Sequence, residues 1–197
     1  MFDHGDIEVY LRALDEQLGL RGRSVELVVC GGTALNVLGI VDRATRDIDV
    51  MGMIVGAGDI EEAVFEDWFL ESAARVAADF DLPEGWINSE PTSMVRTGLP
   101  DGLAVRLVTT RYGDHLTVHY TSRYDLIHLK LYAAVDKQDR HLEDLKALEP
   151  SREEMTAAAL WCLDQDPSDA FSSELVGLLE WMGYGEVAAD ISQKRSG

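Results

Sequence analysis

The chain has 197 residues, with 36 Asp and Glu against 17 Lys and Arg, for a formal charge of −19. An apolar share of 46% excludes a disordered chain, and a chain of this length hides about 70% of its unfolded surface, enough for one domain or one with a small appendage. The negative field excludes duplex DNA gripped through the general surface, so any contact with a nucleotide or RNA must come from a local cluster of Arg and Lys.

The start, Met1-Phe2-Asp3-His4-Gly5-Asp6, lacks the basic and then apolar pattern of a secretory leader. Ile7, Tyr10, Leu11, Leu14 and Leu18 keep a helical period that predicts a helix from Asp6 to Leu18. Val25–Cys30 reads as a strand that stops at Gly31-Gly32, followed by a short helix over Thr33–Leu38. Cys30 and Cys162, far apart and each in apolar surroundings, read as reduced thiols. Asp47-Ile48-Asp49-Val50 alternates as a half-buried strand does, and Gly52, Gly56 and Gly58 punctuate a predicted loop. Asp59 with Glu62 has the spacing of a capping box and predicts a helix to about Phe80. Residues 81–103 read as loop with one apolar piece at Trp86-Ile87. Strands are predicted at Leu103–Thr109 and His115–Tyr120, joined by Tyr112-Gly113-Asp114. Helices are predicted over 123–136, 139–148, 152–164 and 172–190, with a capping box at Ser151 and Glu154. No apolar run approaches the ~18 residues of a membrane span, so the expectation is a soluble cytoplasmic protein that makes no membrane contact.

The chemistry concentrates in Cys30-Gly31-Gly32-Thr33-Ala34-Leu35 and in Asp47-Ile48-Asp49, with fourteen residues between Gly32 and Asp47. Carboxylates at i and i+2 on a strand share a face. Unpaired they repel, whereas a divalent cation between them turns the repulsion into binding, and hard oxygen donors suit Mg²⁺. A Gly-Gly turn entering a helix lets backbone N–H groups approach an anion, with Thr33 placed to assist. A phosphate cradle beside a metal-binding carboxylate pair describes a site for a metal-bound triphosphate.

With its short helix between them, this motif pair resembles the signature of the polymerase-β-like nucleotidyltransferase superfamily. GGTALNVLG and RATRDIDV, with DLIHLKLYAAVDKQDRHLEDLKAL downstream, resemble its bacterial branch of AbiEii-type toxins from type IV toxin–antitoxin systems. The resemblance covers roughly residues 25–150. It implies an α+β fold, with a polymerase-β-like core (a small mixed sheet flanked by helices) over residues 1–121 and a helical region over 122–197 packed on that core. It also implies transfer of a nucleotidyl group from a nucleoside triphosphate to an acceptor hydroxyl on RNA, protein or a small molecule, with Mg²⁺ or Mn²⁺, and a cognate toxin or antitoxin as partner. Asp47 and Asp49 would be the metal ligands, Gly31, Gly32 and Thr33 phosphate binders, and Lys130 and Asp144 the later motif residues. Such enzymes take a third carboxylate from a later strand. The predicted strand Leu103–Thr109 carries Arg106 and no acid, which leaves Glu90 as the nearest candidate and Asp101 behind it. Without a third acid, the protein would be a degenerate relative that binds nucleotide or a partner protein.

On the predicted helix 123–136, Asp125, His128, Tyr132 and Asp136 line a polar face, while Lys130 stands among Leu126, Ile127, Ala133 and Ala134. An ammonium in that setting snorkels to the surface or reaches into a cleft toward phosphate. His141 and Asp144 read equally as a core pair or as catalytic groups. Arg43, Arg46 and Arg140 are candidate phosphate clamps. Arg96, Arg106, Arg111 and Arg123 read as scattered surface charges or as a patch facing the acceptor, and His115 and His119 as surface residues. Trp161, Leu163, Leu175, Val176, Leu178, Leu179 and Trp181 are the expected core of the helical half.

Overall fold

Asp3 sets where the first helix begins. Its carboxylate accepts from the Asp6 N–H at 2.9 Å, while the Asp6 carboxylate accepts from the Asp3 N–H at 3.0 Å. This reciprocal cap satisfies two donors that helix geometry orphans. The resulting α1 (His4–Leu20) starts and ends two residues beyond the predicted helix, and Ile7, Leu11, Leu14 and Leu18 on its inner stripe are fully buried. The computed structural model describes residues 3–56, 58–137 and 139–196, in two compact units, Met1–Ser122 and Arg123–Gly197. Among the described residues no helix is long and apolar enough to cross a membrane.

After α1, the first unit runs through β1 (Val25–Val29), α2 (Gly31–Val37), β2 (Ile48–Val55), β3 (Asp59–Glu62), α3 (Asp67–Phe80) and β4 (Ile87–Asn88). A 3-10 turn (Glu90–Thr92), α4 (Ser93–Thr97), α5 (Leu103–Arg106), β5 (Val108–Arg111) and β6 (Leu116–Tyr120) complete it. The strands form one mixed sheet in the order β3-β2-β1-β6-β5, with β4 also on β2. β1 runs parallel to β6 and β4 parallel to β2, and the other pairings are antiparallel. This is the small mixed sheet with flanking helices that the sequence led us to expect. Trp86 locks the short β4 in place, because its indole N–H donates to the Ala73 carbonyl of α3 at 3.0 Å inside the core.

Three expectations fail here. Asp59–Glu62 is not the start of a helix but the edge strand β3, in register with β2 through Ile54↔Ile60, and α3 begins only at Asp67. Gly52 is not in a loop but within β2, where an added Cβ would meet the Glu61 carbonyl of β3 at 2.8 Å, so a close strand approach selects glycine there. Leu103–Arg106 is a single helical turn and not a strand, and the hairpin strand starts at Val108. Arg106 therefore leaves the sheet, and its guanidinium donates to the Asp101 carbonyl at 2.8 Å.

The second unit contains α6 (Arg123–Asp136), α7 (Asp139–Ala147), α8 (Arg152–Gln165), α9 (Asp169–Trp181) and α10 (Gly185–Ser196). The predicted 172–190 helix is in fact two helices, broken after Trp181 where Gly183 takes a left-handed backbone. α7, α8 and α9 all pack on α6. Asp125 and His128, read from sequence as part of a polar face, are buried. His128 rests against Tyr124 and Trp161, with ring centroids at 4.6 and 5.9 Å. Leu175, Leu178 and Leu179 are core residues as expected, whereas Trp181 is 64% exposed and carries the Lys146 ammonium 4.3 Å above its ring.

The capping box of α8 forms as predicted, with Ser151 Oγ accepting from the Glu154 N–H at 3.1 Å and Glu154 Oε2 accepting from the Ser151 N–H at 2.8 Å. Arg123 binds the same Glu154 carboxylate at 2.5 Å and donates to the Leu148 and Glu149 carbonyls at 2.6 and 2.9 Å. The Arg123 hydrogen bond, with the cap, holds the Glu154 carboxyl below its ordinary pKa. A carboxyl depressed in the folded state stabilises at neutral pH, and its contribution fades as acid titrates it. Glu154→Gln should therefore lower Tm at pH 7, with the gap to wild type closing as scans move below the ordinary carboxyl range.

Candidate functional site

Three strand ends meet at one point of the first unit. β1 ends at Val29, and the Cys30 N–H still donates to the Asp49 carbonyl at 3.0 Å, so the chain leaves the ladder only at Gly31. There φ is +71°, a left-handed turn open to glycine at little cost. A Cβ at Gly31 would collide with Asp49 Oδ2, and one at Gly32 would lie 3.1 Å from Thr45 Oγ1. The glycine elbow is thus packed directly on the Asp49 carboxylate.

Asp49 lies in β2 and Asp47 immediately before it. Ile48 and Val50 are buried and Asp47 and Asp49 half-buried, the alternation that puts both carboxylates on the face away from the core. The Thr33 and Thr45 hydroxyls both donate to the Asp47 carbonyl, at 2.8 and 3.2 Å, and fix the backbone that carries the first acid. Thr33 is 0% exposed and its single proton goes to that carbonyl, so Thr33 serves Asp47 and its hydroxyl has no proton left for a phosphate.

On the other side of β2, Asn88 of β4 is the register partner of Asp49, and its Nδ2 donates to Asp49 Oδ1 at 3.2 Å. The Glu90 N–H in turn donates to Asn88 Oδ1 at 2.9 Å, which fixes the way the amide faces. Glu90 itself is exposed and meets this network through its backbone. Among the described residues no group of three or more His, Cys, Asp or Glu side chains is placed to hold a metal. The oxygen-rich pair at the elbow, Asp47 and Asp49, is a donor set that suits one hard divalent ion completed by phosphate and water oxygens. Sequence reasoning missed Asn88 and Thr45. A two-residue strand shows no period to read, although the apolar Trp86-Ile87 just before Asn88 was its trace.

Arg43 and Arg46 stand just before the acids in the chain, and several other named residues have local partners or belong to the second unit. Arg46 is exposed and Arg43 half-buried on the segment entering β2, where the Asn36 amide donates to the Arg43 carbonyl at 2.8 Å. Arg96 lies 3.6 Å from Glu62, and Arg106 and Arg123 are engaged as described, so these arginines have local partners. His119 bonds Glu26 and Thr109, at 2.8 and 2.9 Å, on the exposed sheet surface. In the second unit Lys130 neither snorkels nor lies open: its Nζ stands 2.6 Å from Asp144 Oδ2, with side chains 7% and 1% exposed. Arg140 is exposed on α7 and His141 half-buried there.

Gly31→Ala tests the elbow. The left-handed backbone alone should cost about 1–2 kcal/mol, and the methyl group must displace the Asp49 carboxylate. A lower urea midpoint is the expected result.

Residues 10–150 match the family described as "Nucleotidyltransferase of unknown function (DUF6036)", and the chain belongs to that family. Neither curated proteins nor solved structures gave a match.

Proposed function

We propose that the protein transfers a nucleotidyl group from a nucleoside triphosphate to an acceptor hydroxyl at the Asp47–Asp49 pair. The acceptor oxygen forms a bond to the α-phosphorus, the bond from that phosphorus to the bridging oxygen breaks, pyrophosphate leaves, and the hydroxyl proton is lost to solvent. Asp47 and Asp49 would hold Mg²⁺ or Mn²⁺, which when bound neutralises phosphate charge. The N–H groups of the Gly31-Gly32 elbow would receive the phosphate tail, and Arg43 and Arg46 bring local positive charge to a molecule that otherwise repels polyanions. The observation that carries this reading is the direct packing of the Gly31 elbow on the Asp49 carboxylate.

The likeness to AbiEii-type toxins makes RNA the first acceptor to test, with protein and small molecules next and a cognate toxin or antitoxin as the partner to seek. The assay is incubation of the protein with each α-labelled NTP, Mg²⁺ or Mn²⁺, and total RNA or lysate. Label entering a macromolecule supports transfer, and its persistence in Asp49→Asn would mean that the site lies elsewhere. A second reading, nucleotide binding without turnover, is favoured by one observation: an amide, Asn88, and not an acid, stands beside Asp49. Saturable nucleotide binding with no label transferred to any acceptor would select it.

A further inference from the structure

We infer that the groove between α6 and α9 docks a partner protein through a basic segment that carries one large apolar side chain. The inference is independent of the elbow, because every residue it uses lies in the second unit. Val135 and Asp136 of α6, with Glu174, Gly177, Leu178 and Trp181 of α9, line a hollow of about 610 Å³. The four α9 residues fall at i, i+3, i+4 and i+7, so a single helix face makes that wall. Val135 and Leu178 are buried and give the hollow an apolar floor. Gly177 is out of place in such a helix. Glycine in a helix interior costs stability relative to alanine, yet a Cβ at Gly177 would meet nothing within 4 Å. No neighbour within the fold requires the missing side chain, and its absence leaves a notch beside Leu178 and Trp181. Trp181 is 64% exposed, and tryptophan is among the side chains that contribute most when an interface covers them. The rim sets the charge of the occupant. Among the described residues the charged groups of the lining, Asp136 and Glu174, are both acids and neither is in an ion pair. The Lys146 ammonium 4.3 Å over the Trp181 ring shows that this indole already receives a cation. A Lys or Arg of the partner would face the two acids while the apolar side chain fills the notch, and an acidic segment would be repelled by a chain of charge −19.

Random peptides displayed on phage and selected on the full chain supply the probe, and the enriched peptides are then synthesised and titrated by fluorescence anisotropy. They are expected to carry Lys or Arg beside a large apolar residue and to bind one per chain. Gly177→Gln fills the notch with a good helix former and adds no apolar surface. It and Trp181→Ala should each weaken the peptides by at least about tenfold. Asp136→Asn combined with Glu174→Gln should weaken them and flatten their salt dependence. Tm of Gly177→Gln should equal or exceed that of wild type, which separates a filled notch from a damaged helix. A clear fall in that Tm would mean that the fold needs the glycine, and would overturn the inference. So would a failure to enrich any peptide, enrichment of peptides without basic residues, or affinities that Gly177→Gln leaves unchanged. A wild-type dimer in sedimentation equilibrium that Gly177→Gln dissociates would put a second copy of this chain in the groove and overturn the partner. Free spermidine binding there as tightly as the peptides would replace the segment with a small polyamine.

Discussion

Asp49→Asn is expected to reduce NTP-dependent labelling by at least about 10²-fold, since changes even to groups supporting a metal ligand cost 10–100-fold, while circular dichroism and Tm stay near wild type. The substitution is isosteric and the backbone of Asp49 keeps its ladder bond from Cys30. What it removes is the negative charge at the meeting of elbow, β2 and β4. Glu90→Gln is the matched control. Glu90 is exposed and its contribution to the network is a backbone N–H, so transfer should stay within about twofold, in keeping with the small effect of most surface substitutions. A large loss in Glu90→Gln would restore it as the third acid.

Lys130→Met should be the most destabilising single change in the second unit. It leaves the Asp144 carboxylate, 1% exposed, without the ammonium 2.6 Å away. Breaking a buried pair from one side costs about 3–5 kcal/mol, whereas replacing both partners with apolar groups is often close to neutral. Lys130→Met combined with Asp144→Leu should therefore recover most of the urea midpoint lost by the single variant. The same double variant also separates two roles for the lysine. Recovered stability with intact label transfer would assign Lys130 to the scaffold, and recovered stability with lost transfer would assign it to the chemistry.

The residues that sequence made legible are those whose neighbours are close in the chain. The alternation of Asp47 and Asp49 with Ile48 and Val50 was readable because it is local to the start of β2, and the turn at Gly31 because a strand ending in Gly-Gly before a helix states its own turn. Ser151 and Glu154 form their box for the same reason. Asp59 and Glu62 carry the same spacing and fail, because pairing with β2 outweighs a two-residue cap signal on a strand whose outward residues show no apolar stripe. The burial of Asp125 and His128 on α6 was not legible, because a helical period marks polar positions without saying what packs on them; His128, for one, lies against Trp161 of α8. Lys130 was recognised as misplaced on an apolar stripe, yet its partner Asp144 lies on another helix, and no period on one helix reveals that. Asn88 gains its meaning only from register with Asp49 across a two-residue strand.

The parallel pairing of β1 with β6 also governs how this protein is made. Val25 aligns with Leu116, so the central strand waits for most of the first unit to be synthesised before its second edge is covered. Closing so distant a contact is slow and leaves the Leu27–Val29 edge open to other chains meanwhile. A nascent chain stalled anywhere before Tyr120 should stay protease-sensitive on the ribosome, and resistance should arise abruptly once β6 has cleared the exit tunnel.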